Sequence, residues 1–240
     1  QMIEAGTDIV NMGFLPNGAD VEDLISTAQE KINALNPTQT EAIKTATDGL
    51  RSMLADMQRS MESGELSGLS WGHEDFDKEF GRMEEGDLIV IAGRPSMGKT
   101  ALALRPAIEN GRGLFLSMEM SAKKIAARLV ANMGQVRLGA IKNPGDAQDF
   151  ENARVREGVA KVQELEILIE DRVMTFREFE SLAIRLHQKK PLRWIVVDHL
   201  DLFVRSHKRR DDLELGDISK GCKGLAKKLN IPVILLSQLN

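Results

Sequence analysis

Tyrosine is absent from these 240 residues, cysteine occurs once, at Cys222, and aromatic residues make up 4% of the chain. A single cysteine excludes a disulfide framework and points to a reducing compartment. Eight Phe and two Trp offer few platforms on which nucleic-acid bases could stack. Long apolar runs are missing too: Leu88 to Ala92 and Ile231 to Leu236 are far below the roughly 18 residues that a membrane span requires. No basic-plus-apolar leader opens the chain. The expectation is a soluble protein of the cell interior with no membrane partner. What is present is ordinary for a globular protein: 42% hydrophobic, 28% charged, 20 Gly and 7 Pro, with a formal net charge of −4. Disorder and fibrous repeats are thereby excluded, and no internal repeat or low-complexity stretch is evident.

The net charge hides an asymmetry. Residues 1–70 carry 11 acids and 4 bases, whereas residues 71–240 carry 25 acids and 28 bases. The length suggests one large domain with an appendage, or two small ones. Because the chain starts at Gln1 instead of Met and stops at Asn240 directly after a strand-like run, it is read as a fragment. Val21, Leu24, Ile25, Ala28, Ile32 and Leu35 fall at helical spacing after a candidate Asp20 cap, and Pro37 closes the run. A second amphipathic helix carries Ile43, Ala46, Leu50, Met53, Leu54, Met57 and Met61 on one face, with Gly64 past its end. Two such helices cannot enclose a core, so their apolar faces need a partner: the following domain or another subunit.

From about Leu69 the pattern becomes short apolar strands alternating with helices. Candidate strands are Leu88 to Ala92, Leu114 to Ser117, Ile167 to Ile169, Trp194 to Val197 and Pro232 to Leu236. Helices are expected after Lys99, after Ser121, after Thr175 (with Glu178 at capping-box spacing) and from about Glu214 to Leu229. Pro106 falls inside the first of these and predicts an end or kink near Arg105. The fold class is α/β: a mostly parallel sheet with helices on both faces, whose ligands bind at the carboxyl ends of the strands.

Gly93-Arg94-Pro95-Ser96-Met97-Gly98-Lys99-Thr100 fits the phosphate-loop pattern G-x-x-x-x-G-K-[ST] between a strand and a helix, which is the context the chemistry needs. Glycines let the loop wrap so that backbone N–H groups meet phosphate oxygens, and the helix N-terminus adds positive potential. Lys99 would neutralise the β and γ phosphates and Thr100 would hold Mg²⁺. Trp194-Ile195-Val196-Val197-Asp198 is an apolar strand ending in a carboxylate, the arrangement in which Asp198 would orient the metal ligands. Glu119, past the second strand, is the candidate general base; Gln238, past the last, could sense the nucleotide's state.

These residues resemble one family, the DnaB-type replicative DNA helicases, whose motor is a RecA-like ATPase core. The resemblance rests on Gly86 through Thr100, on Phe115-Leu116-Ser117-Met118-Glu119-Met120-Ser121, on Ile195-Val196-Val197-Asp198-His199-Leu200, and on Asp217 through Asn240; Arg94-Pro95-Ser96-Met97 inside the phosphate loop is its most telling part. Residues 1–64 resemble the end of the family's N-terminal domain and its helical linker, and 65–240 the ATPase domain, C-terminally incomplete. The resemblance implies ATP and Mg²⁺ as cofactors, Glu119 as catalytic glutamate, Gln238 as the coupling glutamine, and a homohexamer with ATP sites between subunits and the linker helix packed on a neighbour. It also implies single-stranded DNA as partner, with a primase and a helicase loader as further candidates, in a bacterial or phage-infected cytoplasm. A recombinase or repair ATPase of the same superfamily, or a nucleotide-binding scaffold, are the alternatives.

Two departures stand out. The family usually carries Asp-Tyr-Leu-Gln where this chain has Asp198-His199-Leu200-Asp201, and the segment Ala107 to Gly113 is short. His73, His187, His199 and His207 lack metal-ligand spacing. Arg205, Lys208, Arg209 and Arg210 form a basic loop, read either as a solvated surface offset by Asp211 and Asp212 or, on the resemblance, as a DNA contact working through phosphates. The family's arginine finger and main strand-binding loop would lie beyond residue 240.

Overall fold

The computed structural model describes residues 2–14, 24, 27–28, 31, 45–64, 67–146, 148–199, 203 and 211–239. The chain divides into two compact units, Gln1–Glu65 and Leu66–Asn240. In the first, α1 (Met2–Phe14) is followed by α2 (Ala46–Ser63). Of the candidate helix Val21 to Leu35, Leu24, Thr27, Ala28 and Lys31 are described, all helical, and the rest lies outside the described residues. Lys31 pairs with Asp8 of α1. Thr45 caps α2 reciprocally with Asp48, and Gly64 ends the helix in the left-handed region. The apolar face of α2 stands open: Leu50, Met53, Leu54, Met57 and Met61 are all exposed.

The second unit begins with α3 (Glu74–Phe80) and then alternates: β1 (Leu88–Gly93), α4 (Lys99–Glu109), β2 (Gly113–Ser117), α5 (Ala122–Met133), α6 (Leu138–Lys142), α7 (Asp149–Glu164), β3 (Ile167–Glu170), α8 (Phe176–Lys189), β4 (Trp194–Asp198), α9 (Asp211–Leu229) and β5 (Val233–Gln238). The five strands form one sheet in the order β1-β5-β4-β2-β3, and every pairing is parallel. The path steps from β1 across to β2 and β3, then reverses to β4 and β5. Right-handed crossovers therefore place the helices of the outward steps on one face and those of the return on the other. The core follows this division. Phe115, Trp194, Val196, Ile234 and Leu236 pack with Ala103, Leu104 and Ala107 of α4 and Ile125 and Leu129 of α5. Their neighbours Leu114, Leu116, Ile195, Val197, Val233 and Leu235 pack with Phe179 and Ala183 of α8 and Cys222, Leu225 and Ala226 of α9. Strands β2 and β4 are buried at every position, and their side chains are apolar on both faces except for Ser117 and Asp198 at the carboxyl ends.

Pro106 does not end its helix near Arg105. Helix α4 continues one turn further, to Glu109. The backbone N–H and the Nδ2 of Asn110 both donate to the Pro106 carbonyl, at 3.0 and 2.7 Å, and hold the last turn from its far side while the proline ring is buried. Helix α7 escaped the sequence pattern because its contact is made without large apolar side chains. A Cβ on Gly158 would lie 2.6 Å from the Val130 carbonyl, and one on Gly134 2.5 Å from that of Arg154, so two glycines let α5 and α7 meet backbone to backbone.

At the start of α7 the buried Glu151 accepts from Arg137 Nε and Nη2 at 3.0 and 3.1 Å and from the Gln148 N–H at 3.1 Å. The Gln148 backbone bond first, then the Arg137 guanidinium, hold its carboxyl below the ordinary range. A carboxylate favoured in the folded state contributes stability above the unfolded carboxyl's range, and that contribution is lost as pH falls through the lower folded value. Glu151→Gln is therefore expected to lower Tm at neutral pH, with the difference from the parent shrinking in acid; thermal melts across pH check this.

Candidate active site

All five strands point the same way, so their carboxyl ends form one edge: Gly93, Ser117, Glu170, Asp198 and Gln238. The phosphate loop leaves β1 there and enters α4 through Gly98, whose φ of +85° is a conformation L side chains rarely adopt. Ser96 also has positive φ, at +64°. Arg94, Pro95, Ser96, Met97 and Gly98 are exposed to whatever occupies the edge. Lys99 folds its ammonium back into the loop, donating to the carbonyls of Gly93 at 2.7 Å and Arg94 at 3.0 Å.

Thr100, one residue on, donates its hydroxyl to Asp198 Oδ2 at 2.8 Å, joining α4 to the end of β4 across 98 residues of sequence. Asp198 is buried, and burial first of all raises its carboxyl above the ordinary range, with Glu119 adding to the rise and the Thr100 bond, His199 and Lys99 opposing it. A hydroxyl and a buried carboxylate side by side are hard oxygen donors suited to Mg²⁺. Among the described residues no group of three or more His, Cys, Asp or Glu side chains forms a cage, so an ion here would complete its shell with phosphate and water, as Mg²⁺ does.

Strand β4 lies beside β2 in the register Ser117↔Asp198, and the Met118 N–H donates to the Asp198 carbonyl at 3.0 Å. The loop carrying Glu119 is thereby anchored to the end of β4. Its far end is tied by Met120 N–H to Ser117 Oγ at 3.2 Å and by Ala122 N–H to Asp171 Oδ2 at 2.8 Å, so Asp171 satisfies an N–H at the start of α5, where Ser121 makes no side-chain cap. On the other side β5 pairs with β1 in the register Gly93↔Gln238, which sets Gln238 beside the root of the phosphate loop.

The structure thus brings Lys99, Thr100, Asp198, Glu119 and Gln238 to one edge. Arg205, Lys208, Arg209 and Arg210 lie outside the described residues. His199 is what the sequence did not single out as a site residue: its Nε2 is 3.6 Å from Glu119 Oε2. The signal was its place next to Asp198, at the end of the strand that lies beside β2. Trp71 packs at the margin of the α4-side core and donates Nε1–H to the Gly81 carbonyl at 2.9 Å.

A parallel five-stranded sheet with this strand order and a phosphate loop facing a buried carboxylate is a RecA-like ATPase domain. The chain belongs to the DnaB-like helicase family, residues 68–240 matching the model of the DnaB-like helicase C-terminal domain. It is 32% identical over 257 residues to a replicative DNA helicase of Leifsonia xyli subsp. xyli, covering all of this chain and 54% of that protein. It is 30% identical over 249 residues to one from Synechocystis, covering all of this chain and 28% of that protein. The chain thus spans about half or less of the length of these curated relatives. Among solved structures, one ATPase domain is 25% identical and superposes with a TM-score of 0.71 over 80% of this chain and 71% of that one. A DnaB-like replicative helicase studied with primase shares the fold at a TM-score of 0.75 over 99% of this chain and 56% of that one, at 22% identity. Among the described residues no helix is long and apolar enough to cross a membrane.

Proposed function

We propose that the intact protein is an ATP-dependent replicative DNA helicase that translocates on single-stranded DNA as a homohexamer, hydrolysing ATP at subunit interfaces. The observation that carries this reading is the 2.8 Å bond between Thr100 and Asp198 beside the Lys99 loop, in a chain of the DnaB-like family. Family membership sets aside the recombinase and repair-ATPase alternatives.

In this reading the Gly93–Thr100 loop wraps the ATP phosphates, Lys99 neutralises the β and γ groups, and Thr100 and Asp198 hold Mg²⁺, which when bound withdraws charge from the phosphate oxygens. Glu119 takes a proton from water as the water oxygen bonds to the γ phosphorus. The bond from that phosphorus to the bridging oxygen breaks, its electron pair stays on ADP, and the proton passes from Glu119 to solvent. Gln238, rooted beside the loop, reports which nucleotide is present. Arg205, Lys208, Arg209 and Arg210 contact DNA phosphates, which makes binding salt-sensitive and indifferent to sequence. The open apolar face of α2 supports a neighbouring subunit as its cover, with 1–64 as the end of an N-terminal domain and linker and 65–240 as the motor. A primase and a helicase loader are the further partners, in a bacterial or phage-infected cytoplasm.

The test is steady-state ATP hydrolysis by the intact protein with and without a single-stranded oligonucleotide. DNA is expected to raise turnover severalfold, with the stimulation falling as salt rises. ATP binding with no DNA-stimulated turnover would overturn the motor reading in favour of a nucleotide-binding scaffold.

A further inference from the structure

Glu119 stands on a short loop that is well held by its backbone and poorly held at its carboxylate. The side chain is 61% exposed, and among the described residues no hydrogen bond holds it. A general base works only if its oxygen is within reach of the proton it removes, and a misplacement of about 1 Å can cost about a hundredfold in rate. Something must aim this carboxylate.

The residue facing it is His199. The pairing of β2 with β4 ends at Ser117↔Asp198, the Met118 N–H bond to the Asp198 carbonyl holds the two strand ends together, and just past them the side chains of Glu119 and His199 approach each other. The imidazole is fixed where the carboxylate is not, its side chain being 10% exposed, and its Nε2 lies 3.6 Å from Oε2. That separation exceeds a formed hydrogen bond, but catalytic bonds are often long before substrate arrives and tighten in the loaded site.

We infer that His199 is a positioning residue for Glu119, its Nε2–H holding the carboxylate toward the attacking water when nucleotide is bound. The inference rests on the reading of Glu119 as the base, and the experiment separates the two.

The intact protein is assayed at varied ATP concentration with His199→Phe, which keeps a buried ring and removes the N–H, and His199→Gln, which keeps an N–H donor at similar reach. His199→Phe is expected to lower kcat about 10- to 100-fold, as loss of an orienting partner typically does, with KM for ATP changed less than about twofold. His199→Gln is expected to restore most of the loss. In a Glu119→Gln background, His199→Phe should add no further loss, because residues that act through one another are not additive. Should the Phe variant fail to fold, His199→Leu takes its place in the same comparison. A kcat for the apolar variant near that of the parent, a Gln variant as slow as the apolar one, or a full additional loss in the Glu119→Gln background would each overturn the inference. If Glu119→Gln alone left turnover intact, the reading of Glu119 as the base would fall first, and the inference with it.

Discussion

Lys99→Ala in the intact protein is expected to reduce ATP turnover about 10²- to 10³-fold, the scale of removing one preorganised charge from a site of developing negative charge. The ammonium sits inside the loop, bonded to the carbonyls of Gly93 and Arg94, with no carboxylate among its described hydrogen-bond partners, so its charge is available to phosphate. Losing those two bonds should cost little stability, because the loop around them is exposed and water replaces the donor. Turnover should therefore collapse while Tm stays near the parent's; steady-state hydrolysis and a thermal melt on the same preparation check both. Retained turnover would remove the phosphate loop from the mechanism.

Asp198→Asn should separate stability from activity in the opposite sense. Burial raises the Asp198 carboxyl above its ordinary range, which means the ionised form is disfavoured more in the folded chain than in the unfolded one. That penalty is fully present above the folded value and is relieved as pH falls from there to the unfolded carboxyl's range. Asn removes the charge and still offers Oδ1 to the Thr100 hydroxyl. The nucleotide-free variant is therefore expected to melt above the parent at neutral pH, with the gap closing in acid. Its hydrolysis should fall about a hundredfold or more, because a neutral amide is a poor partner for a divalent cation. A variant that melts below the parent at neutral pH would contradict the burial argument. The trade is a common one, since sites built for catalysis carry groups the fold would be more stable without.

The strands were legible because each buried run is short, apolar and rich in Val, Ile and Leu, and Leu88, Gly113, Ile167, Trp194 and Val233 begin strands within a residue of where the sequence suggested. The Thr175 capping box opened its helix as expected, with Thr175 Oγ1 accepting from the Glu178 N–H at 3.3 Å. Helix α7 was not legible: its residues are mostly charged or small, and its partner surface is the backbone near Gly134. Of the end or kink expected at Pro106, the end does not occur, because the rule for an interior proline counts the bond it removes and not the side chain of Asn110, which closes the turn from beyond it.

For the site, sequence alone determined the chemistry of the parts. A glycine-framed loop ending in Lys99 and Thr100, an apolar strand ending in Asp198, and polar residues past two further strands are local patterns, written within a few neighbours along the chain. Tertiary structure decided which parts meet. Thr100 and Asp198 are 98 residues apart and touch only because β4 and β1 lie in one sheet with β5 between them. Gln238 stands beside Gly93 in the register of β5 with β1, and His199 comes within 3.6 Å of Glu119 because the neighbouring strands β2 and β4 end side by side. Register is a property of two segments packed against a common core, set by which alternate side chains each buries. No window of sequence contains both segments, and so the approach of His199 to Glu119 became visible only in the folded chain.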